Sequence, residues 1–360
     1  MNVLIARLKG KKVGLVVNQT SLLNNRHLVD TLLAANIHVI KVFAPEHGFR
    51  GQADAGQAIE TTVDSLTSLP IVSLYGKHHK PNPNDLEGVE TLVFDLQDVG
   101  VRFYTYISTL HYVMEACSEL NIPLIVLDRP NPNGFYIDGP VLDTHYRSFV
   151  GMHPIPIVYG MTIGELSKMI QGEQWIRASN QLSLEVIPCL NYQRKFSCRL
   201  PVPPSPNLPN QRAILLYPSI CLFEGTVVSL GRGTDFPFQI YGHPAFKSNF
   251  SFTPRSKPGA KYPPQEGKKC FGKDLSQMKI TELLNNRKLN LTYLVDAYNQ
   301  LNKRDSFFLA SNFIDKLYGS SQLRHDLARN KPVQEIEASW KTELEQFKKK
   351  RKKYLLYPDF

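Results

Sequence analysis

Short apolar runs, mostly β-branched or leucine, recur through the first half of the chain at residues 13–17, 39–43, 71–74, 91–96 and 124–127. Several lack any polar alternation, the pattern of strands covered on both faces in a parallel sheet. Polar turns separate them from stretches whose apolar residues return at helical spacing. Residues 30–35 and 104–120 read as helices or their ends, the second stopping before Asn121 and Pro123. This alternation predicts an α/β fold built on a Rossmann-like, doubly wound, mostly parallel sheet. In such sheets the ligand crevice lies beyond the carboxyl ends of the strands, so the residues that follow each run are the ones to read for chemistry.

The pattern changes at residues 200–209, a proline-dense stretch that cannot be helical and reads as an extended crossing into a second domain. Beyond it lie apolar segments at 213–222 and 226–230, a proline-rich loop at 252–264, and helical spacing near 292–301, 307–318 and 333–351. The expected organisation is a Rossmann-like domain over residues 1–180 followed by a mixed α+β domain over 181–360. No internal repeat is visible.

Composition narrows the class. Of 360 residues, 42% are hydrophobic and 21% charged, a globular balance that excludes a disordered, collagenous or coiled-coil chain. No apolar stretch approaches the roughly 20 residues of a membrane-spanning helix. The net charge of +10 comes largely from Lys-Lys-Lys-Arg-Lys-Lys at 348–353, so the body is only mildly basic. Such a local run reads as a solvated helix end or an interaction tail, and nucleic acid is not an expected partner. Five cysteines, an odd number with no C-x-x-C spacing, read as reduced core thiols. Residues 1–10 hold too short an apolar run for a secretory leader and no small-residue cleavage site. The chain therefore reads as cytoplasmic or as lacking a leader that precedes this sequence.

Familiar signatures for dinucleotide, nucleoside triphosphate, zincin and α/β-hydrolase chemistry are missing. Chemistry concentrates instead at the strand ends. In Phe43-Ala-Pro45-Glu46-His47-Gly48-Phe-Arg50-Gly51, Pro45 ends the strand, and the glycines allow a tight loop that carries Glu46 and His47 at the rim. A partly shielded carboxyl there can serve as a general acid, although a loop glutamate paired with Arg50 or His47 fits the same letters. The next cluster, Asp95-Leu-Gln97-Asp98-Val-Gly100-Val-Arg102-Phe-Tyr104-Thr-Tyr106, offers carboxylates, phenols and a planar guanidinium suited to a polyhydroxylated or carboxylate-bearing ligand. Asp98 as a helix cap or partner of Arg102 is the simpler alternative. Asp128-Arg129-Pro-Asn131 reads as a rigid polar turn at the same rim.

Later, Glu224 lies within an otherwise apolar stretch, where an unpaired charge costs several kcal/mol, so it requires a partner or a task. Gly231-Arg232-Gly233-Thr234 offers backbone amides and an arginine for an anion. His78-His79 is a poor metal pair, since adjacent residues on an extended segment point apart. Two carboxyls on separate elements, set among amides, phenols and arginines without a cofactor motif, are the minimum equipment of a glycoside hydrolase.

These same segments resemble a known family. Gly14-Leu-Val-Val-Asn18-Gln19-Thr20, Pro45-Glu46-His47-Gly48-Phe-Arg50-Gly51, Val93 through Tyr106, Leu127-Asp128-Arg129-Pro-Asn131-Pro, Pro203-Pro-Ser-Pro-Asn207, Leu222-Phe-Glu224-Gly225-Thr226 and Gly231-Arg232-Gly233-Thr234 look like the NamZ-type exo-β-N-acetylmuramidases, long catalogued as a bacterial domain of unknown function. The match runs in order from about Lys11 to the carboxyl terminus. The resemblance implies release of a non-reducing terminal β-1,4-linked N-acetylmuramic acid from peptidoglycan fragments, without a cofactor, in a substrate cleft between the Rossmann-like catalytic domain and a smaller mixed α+β C-terminal domain; no metal is expected. It points to Glu46 as a catalytic residue, and local chemistry suggests Glu224 as its partner. Asn18, His47, Arg50, Asp95, Asp98, Arg102, Tyr104, Tyr106, Asn207 and Arg232 are the expected substrate-binding residues. Among them Arg50, Arg102 or Arg232 would pair with the lactyl carboxylate of muramic acid. Relatives commonly carry an export signal or anchor, so the resemblance implies an extracytoplasmic enzyme, with a cytoplasmic recycling role open. A non-catalytic peptidoglycan-binding module and a metal-dependent hydrolase using His47, His78 or Asp98 are the competing readings.

Overall fold

A computed structural model describes residues 1–46, 48–49, 62–177, 180–301 and 306–360. Its central sheet has seven strands: β1 (Lys12–Val17), β2 (His38–Ala44), β3 (Thr62–Val63), β4 (Pro70–Ser73), β5 (Thr91–Asp95), β6 (Leu124–Leu127) and β7 (Leu184–Ile187). Their order is β7-β6-β5-β1-β2-β4-β3, parallel throughout except where β3 meets β4. From the central β1 the chain winds outward through β2 and β4, then returns to the opposite side for β5, β6 and β7. The switch between β1 and β5 opens a crevice at the carboxyl ends of those strands. Five of the seven strands coincide with the apolar runs of the sequence, and β7, which begins after residue 180, continues the same sheet.

Successive strand residues point to opposite faces, and the sequence fills both sides. Val13, Leu15 and Val17 pack against α1 (Asn2–Leu8) and α2 (Leu28–Ala34). Val16, Phe94 and Val126 share a second cluster with α3 (Tyr106–Glu119) and α4 (Ile163–Gly172). This second cluster continues without interruption through Ile214, Phe223, Leu294 and Trp340, so the later half of the chain is built onto the far face of the sheet.

That half contains α5 (Gln211–Ile220), which runs into a 3-10 turn at Cys221–Gly225, and a three-stranded antiparallel sheet. In the latter, Cys270–Asp274 lies between Ile240–His243 and Phe250–Phe252. Short helices complete it.

The apolar segment at 226–230 makes isolated bridges, Thr226 to Phe308 and Ser229 to Gly242. Two expectations for this half change. The helix expected over 307–318 is confined to Phe313–Tyr318. Upstream, Leu309 N–H donates to the Gly225 carbonyl and Val227 N–H to that of Phe307, while Asn312 turns left-handed at φ 51°. The segment at 333–351 divides at Trp340 into Val333–Ser339 and Lys341–Arg351, and the buried indole donates to Asp138 at 3.1 Å.

The C-terminal segment folds back over α4, where Leu356 and Tyr357 N–H groups donate to Glu165 and the Tyr357 hydroxyl to Asp128 at 2.5 Å. Among the described residues, no helix is long and apolar enough to cross a membrane.

Candidate active site

Glu46 follows β2 directly. Pro45 ends the strand, and Gly48, at φ +77°, returns its N–H to the Pro45 carbonyl at 3.0 Å, closing a tight turn. The half-buried Glu46 thereby faces the start of α3. Thr105 Oγ1 donates to Glu46 Oε2 at 2.7 Å, and the Tyr106 hydroxyl lies 3.4 Å from the Glu46 carbonyl oxygen. Thr105 occupies the N-cap position of α3 but makes no side-chain cap bond to it. Its hydroxyl is directed to Glu46 instead.

Behind this pair, fully buried Asn18 donates to the Tyr106 hydroxyl at 2.8 Å and accepts from the Thr20 N–H and hydroxyl. The Tyr104 hydroxyl donates to the Pro204 carbonyl at 2.8 Å, and Gln19 Nε2 reaches the Pro203 and Pro204 carbonyls. The proline-dense stretch is thus an ordered wall pinned to the strand ends. Burial pushes the Tyr104 and Tyr106 phenols above their usual range, assisted for Tyr106 by the charge of Glu46. Both remain neutral hydrogen-bonding groups.

The opposite side comes from the later half of the chain. Glu224, in the 3-10 turn after α5, accepts from Arg232 Nε at 3.0 Å and from Arg232 Nη2. The guanidinium lies 5.1 Å from the centre of the Phe238 ring. Burial disfavours the Arg232 cation, but the charge and hydrogen bonds of Glu224 outweigh it and hold its pKa above the usual value. Glu46, Tyr104, Thr105 and Tyr106 from one half and Tyr217, Glu224, Arg232 and Phe238 from the other line a single cleft of about 250 Å³. Aromatic rings make up much of its surface, with Tyr104 and Tyr106 edge to face at 4.8 Å and Tyr217 and Phe238 at 4.9 Å.

Of the residues expected to touch substrate, Tyr104, Tyr106 and Arg232 line this cleft with the two glutamates. Asn18 supports it from beneath. Four others are occupied elsewhere, which corrects their expected role. Arg102 is completely buried, and its Nη1 and Nη2 donate to the carbonyls of Pro140, Ile155, Leu317 and Tyr318 at 2.7–2.9 Å, so neither terminal nitrogen is available to a ligand. Asp95 is buried in a bidentate pair with Arg129, at 2.7 and 2.8 Å. Asp98 accepts from the Tyr159 hydroxyl and the Gly100 N–H, and burial pushes its pKa up to about 6. Asn207 donates to the Gly259 carbonyl at 2.6 Å and secures the proline wall. His47 and Arg50 lie outside the described residues.

The histidine pair does not act as a pair. His78 Nε2 is 2.7 Å from Asp85, whereas the His79 ring stacks on Phe149 with centroids 3.9 Å apart. Thr105, Tyr217, Phe238 and Phe149 were not legible as cleft residues. For Thr105 the available signal was its place between two phenols already singled out; the later aromatics carried none.

A family model described as "Exo-beta-N-acetylmuramidase NamZ, N-terminal" matches residues 13–212, and one described as "Exo-beta-N-acetylmuramidase NamZ, C-terminal" matches residues 215–357. Peptidoglycan beta-N-acetylmuramidase NamZ of Bacillus subtilis (strain 168) is 39% identical over 98% of this chain and 88% of its own length. A crystal structure of a DUF1343 family protein from Bacteroides fragilis superposes with a TM-score of 0.92 at 49% identity, covering 100% of this chain and 97% of that one. A second DUF1343 family protein from the same organism gives a TM-score of 0.81 at 28% identity, covering 99% of this chain and 97% of its own.

Proposed function

Because the chain belongs to the exo-β-N-acetylmuramidase NamZ family, we propose that it removes the non-reducing terminal, β-1,4-linked N-acetylmuramic acid from peptidoglycan fragments, with Glu46 and Glu224 as the working carboxyl groups. The observation that carries this reading is the meeting of those two residues, one from each half of the chain, in one aromatic-lined cleft.

Glycoside hydrolysis needs one carboxyl group to protonate the leaving oxygen and another to attack or stabilise the anomeric centre, or to activate water. Glu46 has its Oε2 fixed by Thr105, and Oε1 accepts no hydrogen bond from the described residues. Placed on the turn after β2, it is the proton donor in this proposal. Glu224 is aimed by Arg232 and faces the developing positive charge at the anomeric carbon. Phenyl and phenol rings suit the apolar faces of a pyranose.

Selectivity for muramic acid over N-acetylglucosamine requires a cation for the lactyl carboxylate. Both terminal nitrogens of Arg102 are engaged by carbonyls and the side chain is buried away from the cleft, whereas Arg232 lines the cleft and has Nη1 without a hydrogen bond to the described residues. We assign it that role, bridging Glu224 and the lactyl group. The polymer lies outside the cytoplasmic membrane, and the proposal places the enzyme there; fractionation of the producing cells tests that placement.

Chemical test of the activity uses two disaccharides, one with N-acetylmuramic acid and one with N-acetylglucosamine at the non-reducing end. Release of free N-acetylmuramic acid from the first only is the expected result. Binding of both without any new reducing end would replace the hydrolase by a sugar-binding protein.

A further inference from the structure

The basic run at 348–353 takes no part in the cleft. It ends beside a second hollow, a groove of about 1150 Å³ at the β7 edge of the sheet, bordered by α4, the turn after it and the C-terminal segment. Among the described residues, this groove and the cleft have no lining residue in common. Leu184 and Val186 of β7 and the Tyr354 ring provide apolar surface, and side-chain amides lie among them. Lys168, Arg177 and Lys353 supply the charge, and no carboxylate lines the groove among the described residues.

The local acid is already engaged: Glu173 is 3.1 Å from Lys350 and accepts from the Tyr354 hydroxyl at 2.8 Å. Lys168, Arg177 and Lys353 have no ion-pair partner among the described residues, although Lys353 lies close enough for its charge to act on Glu173. The Arg177 backbone is fixed by its N–H, which donates to Glu115 at 3.0 Å. Cations of one sign around a concave surface focus an attractive field on an anion. Apolar strips, a phenol ring and amides beside them match sugar faces, hydroxyls and acetamido groups.

We propose that this groove is a second, non-catalytic binding site for an acidic glycan strand, the carboxylate-bearing peptidoglycan polymer, which it holds while the cleft works at chain ends. The identity of the polymer rests on the glycosidase reading above. Tethering raises the effective concentration of strand ends at the cleft without altering the chemistry there. Attraction of this kind weakens with salt.

The test is co-sedimentation of the full chain with purified sacculi stripped of accessory polymers, together with turnover of a small chromogenic muramide. Lys168→Ala/Arg177→Ala/Lys353→Ala should bind sacculi about tenfold more weakly, the combined worth of three exposed ion pairs. Its kcat/KM on the small muramide should remain unchanged. A control with equal charge loss at exposed sites elsewhere, Lys9→Ala/Lys11→Ala/Lys261→Ala, should bind as the parent does. Equal binding by the groove variant, equal loss in the control, or binding to anionic lipid vesicles but not to sacculi would each overturn the proposal. Sedimentation is read without catalysis, so a chain that binds through the groove but hydrolyses nothing would remove the glycosidase reading alone.

Discussion

Thr105 shows how a single hydroxyl divides between structure and site. A threonine at an N-cap ordinarily accepts from the first turn of its helix, and losing that bond costs about 0.5–2 kcal/mol. Here α3 has no such bond to lose, because Oγ1 is turned to Glu46. Thr105→Val should therefore lower kcat about tenfold with KM within about twofold, as for a group that positions a catalytic acid. Thermal stability should scarcely change, and Thr105→Ser should restore the rate. A fall in stability without a kcat effect would mean that the hydroxyl serves the fold.

Asp98 gives the contrasting case of a polar residue used entirely inside. Burial raises its pKa from 3.8 to about 6, so the native state holds a proton that the unfolded state has lost between those values. Its contribution to stability is present at low pH and declines as pH rises through about 6, by about 3 kcal/mol in all. Melting curves of the native protein and Asp98→Asn across pH 4–7 should show the variant gaining relative to the native chain. A constant difference would contradict this account of Asp98. Glu46 was readable from its letters because proline and glycines enclose it, whereas the depth of Asp98 depends on Tyr159, 61 residues away.

Among the elements, the parallel strands were the most legible, since strands covered on both faces need unbroken apolar runs. The edge strand β7 and the isolated bridges were not, because long-range partners define them: Thr226 is fixed by Phe308, and β7 by β6. Arg102 was misread for a similar reason. A guanidinium in a polar motif at a strand end has the composition of an anion site, but its function here is to clamp elements. It joins the carbonyls of Pro140 and Ile155 to those at the end of Phe313–Tyr318. Arg102→Ala leaves these carbonyls without their donor inside the protein and should destabilise the fold by about 3–5 kcal/mol. Chemical denaturation measures that loss. The folded fraction should retain its affinity for a muramic acid ligand, and a stable variant with weakened affinity would return Arg102 to the substrate.

At the scale of the whole molecule, the Rossmann-like sheet presents Glu46, and the second half, packed on one shared core, brings Glu224 and Arg232 up to it. Local chemistry in the sequence singled out both glutamates as candidates. Their convergence depends on the proline wall and on the route of the chain over the sheet, neither of which has a periodic signature. The groove at the β7 edge was equally hidden, since Lys353 joins Lys168 and Arg177 only through the folding back of the C-terminal segment.

The most direct test of the central claim is a proton NMR time course on the muramic-acid-terminated disaccharide with the native chain, Glu46→Gln and Glu224→Gln. The native protein should release a single first-formed anomer of N-acetylmuramic acid, and each variant, still folded by circular dichroism, should be slower by about 10²–10⁴-fold. Native-like release by folded Glu46→Gln would contradict the account.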